Sequence, residues 1–335
     1  MIKQAQELVE RVRQDDMGKH DMTIPVQRIV VHRNGDVVFP ELLDGVQGNF
    51  GHYGMTDHAL GQLSTRLGIP TRYAKKCMET SPDLFAQHAN YWIEREEWEN
   101  KSWFVRGQGD MIRAFLSDRY TTLDNHFLVE MLNNVLGSGG LVDIKNLSID
   151  PQYFNLRLVF PELSTNLGTA VTKDDVMVGV HITNSEVGSS SLRIDSCIFR
   201  LVCSNGLISR VGGESLMAQR HVHLTNNEME NRVAGAITEA VKLGDATIDR
   251  FARLQDIRVN DPMEEIKRLA KQEKYSDKFV DDLTQSYTIE KAITGNESAY
   301  ELVNAFTRSA QNTPSFDRRL EVENFAGKLM DKFLK

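Results

Sequence analysis

Three stretches in the middle of this 335-residue chain alternate strictly in hydrophobicity, and that pattern limits the fold more than any other feature. Met111–Ser117 sets Ile112, Ala114 and Leu116 on one side. Residues 153–160 do the same with Phe154, Leu156, Leu158 and Phe160, and residues 176–183 with Val176, Val178, Val180 and Ile182. A period of two marks a strand with one face buried. Residues 103–223 therefore read mainly as an antiparallel sheet, interrupted by one amphipathic helix at 124–136 and the link Gly137-Ser138-Gly139-Gly140. In 192–203 the parity changes: Leu192, Ile194 and Ile198 face one way, Phe199, Leu201 and Cys203 the other. Either a bulge re-aims that strand or both of its faces are covered.

Helical text lies on both sides. A short helix at 5–12 precedes a hairpin of strands 26–32 and 36–39, joined at Arg33-Asn34-Gly35. Thr56-Asp57 caps a helix carrying Ala59, Leu60, Leu63 and Leu67, which Gly68 stops. Pro70 and Pro82 begin two more, through Tyr73 and Cys77 and through Phe85, Ala89 and Trp92. Beyond residue 224 the pattern is almost wholly helical, with one long helix predicted at 227–254 and others after Asp261-Pro262, Asn296-Glu297 and Ser315. The expected fold class is α+β: a helix-flanked antiparallel sheet followed by a helical C-terminal region, divided as 1–223 and 224–335.

Composition removes several classes of function. The hydrophobic share of 41% and charged share of 26% are those of a globular chain, and a net charge of −8 excludes an overall basic coat while leaving room for a local basic face. No apolar run approaches the roughly 18 residues of a membrane span. The start, Met1 to Glu7, lacks the apolar core of a signal peptide, and three cysteines (Cys77, Cys197, Cys203) cannot form a complete disulfide framework. A cytoplasmic setting and no membrane partner are expected. His221 and His223 are the only close histidine pair, without a cysteine or carboxylate at ligand spacing, so no metal and no cofactor are expected. Gly107-Gln108-Gly109 lacks the third glycine and the helix of a dinucleotide site. No nucleophile motif is present, which makes enzyme the weaker class and leaves no catalytic residue to name.

Each strand also has a second face. It carries Arg113 and Phe115, then Tyr153, Asn155 and Arg157, then Met177, Gly179, His181 and Thr183, then Arg193 and Asp195. Arginines among flat rings suit a single nucleic-acid strand, because guanidinium groups hold phosphates and rings take unstacked bases. Residues 188–223 add Arg200, Arg210 and Arg220 to Arg193, against Asp195 and Glu214. Residues 66–76 hold Arg66, Arg72, Lys75 and Lys76 with no acid. The competing reading is that arginine on the wet side of a half-exposed sheet is ordinary.

Arg113-Ala114-Phe115-Leu116-Ser117-Asp118-Arg119-Tyr120 with Leu123-Asp124-Asn125 resembles the signature of the phage- and plasmid-related domain-of-unknown-function family numbered 932. Leu67-Gly68-Ile69-Pro70, Asn184-Ser185-Glu186-Val187-Gly188, Arg200-Leu201-Val202-Cys203-Ser204-Asn205-Gly206 and Leu302-Val303-Asn304-Ala305-Phe306-Thr307 carry the same likeness, which spans about 56–325. The resemblance implies a mobile-element setting near replication and recombination genes, and it supplies no catalytic residue. The layout of hairpin, helix and further strands is also similar to single-strand annealing proteins of the phage-recombinase class. The expectation is thus a non-catalytic protein that binds single-stranded DNA, a strand-annealing or recombination factor working as a homo-oligomer larger than a dimer. Arg113, Arg157, Arg193 and Arg200 would meet phosphates, Phe115 and Tyr153 would stack on bases, and Asp118, Asn184, Glu186 and Asn205 would hold turns. The alternative is a protein-interaction factor that inhibits or redirects a host defence or replication protein.

Overall fold

A computed structural model describes residues 2–40, 51–137, 142–168, 173–201, 205–209, 215–221, 226–313 and 316–335. Its first layer is a six-stranded sheet of β1 (Lys19–Pro25), β2 (Val30–Val31), β3 (Val37–Val38), β4 (His52–Met55), β5 (Ser102–Gln108) and β6 (Met111–Ser117), in the order β1-β5-β6-β4-β3-β2. The pairing is antiparallel except between β4 and β6. Helices α2 (Asp57–Arg66), α3 (Thr71–Thr80) and α4 (Pro82–Ile93) close one face, with Leu60, Leu63, Ala74, Cys77, Phe85 and Ala89 against Val37, Trp103, Val105 and Phe115. The local signals act as the sequence predicts. Thr56 Oγ1 accepts from the Ala59 N–H at 3.1 Å to open α2, and Gly68 follows that helix at φ +70°. The Asn34-Gly35 turn is also present, although its flanking strands are only two residues each.

The second layer contains β7 (Asp143–Ile149), β8 (Phe154–Asn166), β9 (Asp175–Asn184), β10 (Leu192–Arg200) and β11 (Asn205–Ser209), ordered β11-β10-β9-β8-β7, with β12 (Met217–Gln219) also on β10. One face is sealed by α1 (Ile2–Asp15), α5 (Asn125–Gly137) and α6 (Asn226–Lys242). There Val12, Leu128, Leu132, Val233 and Ile237 meet Phe154, Leu156, Leu158, Val178, Val180, Ile182, Leu192 and Ile194, the apolar set that alternation assigns to the core. The C-terminal helices α7 (Gly244–Ala252), α8 (Pro262–Gln272), α9 (Asp277–Thr294), α10 (Ala299–Gln311) and α11 (Phe316–Phe333) form another cluster, which also takes in Val176 and Ile198 of the sheet. The fold class is α+β, as expected, with two sheets rather than one.

Two expectations change, and an open alternative is decided. In β6 the pairing shifts: Arg106 lies opposite Ala114 but Gly107 opposite Ile112, so Arg113 is the extra residue of a bulge. Ile112 and Phe115 therefore share the core under α2–α4, while Ala114 and Leu116 pack on the other side with Val187. In β10 the pairing with β9 runs unbroken from Arg193 to Arg200, so its mixed parity reflects cover on both faces and not a bulge. The helix predicted at 227–254 breaks at Leu243, with α6 ending at Lys242 and α7 starting at Gly244. A Cβ at Gly244 would lie 3.1 Å from Leu163 Cδ1, so the break brings backbone close to the sheet. Ser138, Gly139, Gly140, Cys203, Arg210, Glu214, His223 and Ser315 lie outside the described residues.

Candidate functional site

The residues expected on an open sheet face are mostly interior. Arg157 is 3% exposed and its Nη2 donates to Glu323 Oε2 of α11 at 2.5 Å. Arg200 is 2% exposed and forked onto Asp174 (2.5 and 2.6 Å), with Glu290 of α9 as a second carboxylate. Tyr300 of α10 donates to the same Asp174 at 2.8 Å. Arg113 donates to Glu186 Oε2 at 2.9 Å, and Phe115 is wholly buried beside Trp103, with ring centroids 5.9 Å apart. The reason is cover: α11 lies over the face holding Asn155, Arg157 and His181, and α9 and α10 reach Arg200. A buried guanidinium demands a carboxylate, and each of these three has one. Arg193 is exposed and Tyr153 half-buried, so the six residues do not converge on one surface.

Glu186 is the hub of a polar joint between the two layers. Its Oε2 accepts from Lys19 of β1 at 2.8 Å and from Arg113, and its Oε1 accepts the Asn125 N–H at 2.8 Å, capping α5 from a distant loop. Arg106 Nη1 donates to the Glu186 carbonyl at 3.0 Å and also pairs with Asp21 and Asp124. Although burial alone would raise it, the Lys19 ammonium, the Arg113 guanidinium and the Asn125 amide hold the Glu186 carboxyl down at about 2. Lys19 Nζ also reaches Asp15 (2.7 Å) and Asp16 (2.6 Å), so an ammonium already bridges these three clustered carboxylates. Tyr120 donates to the Glu186 carbonyl at 3.0 Å and stacks on His221 at 5.3 Å. Asn184 donates to the Leu123 carbonyl and Asn125 Oδ1. Asp118 sits exposed in the turn after β6, and Asn205 opens β11 opposite Arg200. The joint's charges are spent on one another, which is the chemistry of a staple.

The open site lies elsewhere. A cleft of about 620 Å³ is lined by Asp57, His58, Gly61, Gln62, Thr65 and Arg66 of α2, Thr71 and Lys75 of α3, and Gln152 from the β7–β8 turn. Its floor is pinned: Gln62 donates to the Val187 carbonyl at 2.9 Å and accepts the Phe115 N–H at 2.8 Å. His58 Nε2 is 3.0 Å from the same Val187 carbonyl, so that nitrogen carries the proton and cannot act as a base toward Ser189 Oγ at 3.4 Å. Arg66 donates through Nε to the Phe115 carbonyl at 3.1 Å and lies over the Trp103 ring. Burial pushes its guanidinium below the ordinary value, and among the described residues no carboxylate pairs with Arg66, Arg72 or Lys76. Lys75 shares Asp57 at 2.5 Å on the exposed rim. The run of four cations at 66–76 was visible in the sequence; that two of them, Arg66 and Lys75, line a cleft was not, because the cleft also takes Gln152 from a distant turn.

A family model described as Domain of unknown function (DUF932) matches residues 114–323. The span runs from Ala114 beside the β6 bulge to Glu323 on α11, and so contains Glu186, the Arg157 and Arg200 pairs and Gln152, while α2 and α3 precede it. No curated protein and no solved structure matches the chain. Among the described residues no helix is long and apolar enough to cross a membrane.

Proposed function

We propose that this chain, which belongs to the DUF932 family, binds single-stranded DNA through the cleft between α2 and α3, as a non-catalytic strand-annealing or recombination factor of a mobile element. The observation that carries this reading is Arg66, a partly buried guanidinium in an open 620 Å³ cleft without a carboxylate partner. A cation kept from its own counter-ion in a concave site favours an anionic ligand, and a guanidinium suits phosphate oxygens. Arg72 and Lys76 extend the positive surface along α3, and the net charge of −8 lies elsewhere on the molecule. Arg113, Arg157 and Arg200 are each paired with an internal carboxylate, and the exposed Arg193 lies on β10, outside the cleft lining, so this reading does not use them.

Annealing requires more bound nucleotides than one cleft spans, so a homo-oligomer larger than a dimer belongs to the reading. Eleven residues of α10 are buried inside the chain, so that helix has no free apolar stripe to give to assembly.

Fluorescence anisotropy with a labelled single strand tests the proposal. Affinity should fall by about 0.7 decades per decade of salt for each phosphate neutralised, hence by two to three decades for three or four cations. No binding at micromolar protein and low salt would overturn it and favour the protein-interaction factor.

A further inference from the structure

Beyond the cleft, α4 carries an exposed row of rings. Leu84, His88, Tyr91 and Trp92 lie three or four residues apart or adjacent, on one face of the helix, and Tyr91 and Trp92 are 53% and 40% exposed. The Tyr91 and Trp92 rings meet edge to face at 5.2 Å. Arg95 sits over both, 4.4 Å from the Tyr91 centroid and 5.7 Å from that of Trp92. At the other end Tyr73 of α3 stacks on His88, with centroids 5.7 Å apart and planes within 18°.

The row is continuous with the cleft. At about 100° per residue round α3, Thr71 and Lys75 face the cleft, Arg72 and Lys76 form the crest, and Tyr73 lies on the far slope against His88. A strand leaving the cleft over that crest meets cations first and flat rings next.

We propose that Tyr73, His88, Tyr91 and Trp92 form a stacking platform for the bases of the strand whose phosphates lie in the cleft. The inference rests on the reading of the cleft given above. A single exposed aromatic needs no explanation, but rings from two helices, flanked by Arg72, Lys76 and Arg95, match the interleaving of charge and π-face that single strands require. Every base has a π-face, so the platform is sequence-tolerant. Glu94, Glu96, Glu97 and Glu99 follow immediately and repel phosphates, which ends the footprint at Arg95 and keeps it to a few nucleotides.

The test compares a short oligonucleotide with an abasic one of the same length and charge, using the full chain and the Trp92→Ala and Tyr91→Ala variants. The wild type should bind the base-containing strand about tenfold or more tighter than the abasic one. Either variant should lose most of that preference while keeping its affinity for the abasic strand and its salt dependence. Equal wild-type affinity for the two strands, or a preference that survives in both variants, overturns the platform. Salt-dependent binding of the abasic strand in that case leaves the cleft reading standing alone. Failure of both strands to bind the wild type overturns the cleft reading and the platform with it.

Discussion

Arg157 of β8 and Glu323 of α11 meet at 2.5 Å, and neither is more than 3% exposed. This pair joins a C-terminal helix to the very sheet face that strand alternation marks as open. The sequence separation is 166 residues, and the pair ties the last residue of the family span to a strand within it.

Removing one partner leaves a charge stranded in the interior. Glu323→Leu should cost about 3–5 kcal/mol, because Arg157 already has Nε and Nη1 without acceptors and would lose its carboxylate too. The double variant Arg157→Met with Glu323→Leu should recover most of that loss, since two apolar chains can fill the space. Chemical denaturation of the three proteins decides it; a double variant no more stable than Glu323→Leu contradicts the account.

The joint around Glu186 should respond to acid through His221. Burial and the nearby Arg106 hold the His221 imidazole down at about 4 against an ordinary 6.5. A folded-state value below the unfolded one means its contribution is complete above 6.5 and is lost as pH falls from there toward 4. His221→Phe keeps a ring against Tyr120 and cannot take up the proton. Urea midpoints measured between pH 7 and 4 should therefore fall less for the variant than for the wild type. Parallel curves would show that His221 is not linked to folding.

Phe115 tests the bulge in β6. As a core side chain beside Trp103 it should cost about 3–5 kcal/mol when replaced by Ala. Arg193→Ala on β10 should change stability by less than about 0.5 kcal/mol, because that side chain is exposed. Thermal unfolding of the two variants suffices. A Phe115→Ala protein as stable as the wild type would restore Phe115 to the surface.

Much of the architecture was legible. Thr56, Gly68, Pro70 and Pro82 placed α2, α3 and α4 because capping and breaking are local chemistry, and the apolar set of β8 and β9 was right because a buried face repeats every two residues. What failed was long-range. Alternation says which side chains are apolar, not whether the polar face is wet, and β8 and β9 are polar on a face that α11 covers, with the Glu323 carboxylate on Arg157. The β6 bulge was hidden because one extra residue reverses parity without leaving a signature of its own. The four cations at 66–76 were visible as composition, but the cleft that Arg66 and Lys75 line also takes Gln152 from a turn that only the fold brings across.

The claim that the α2–α3 cations, and not the sheet arginines, meet the ligand is tested by salt-dependent anisotropy on two variants. The triple change Arg66→Gln, Arg72→Gln and Lys76→Gln should lower the slope of log affinity against log salt by about 2, at about 0.7 per phosphate, and weaken binding at low salt. Arg193→Gln should leave slope and affinity as in the wild type. The reverse outcome, a normal slope in the triple variant and a reduced one in Arg193→Gln, would contradict the account and return the binding surface to the sheet.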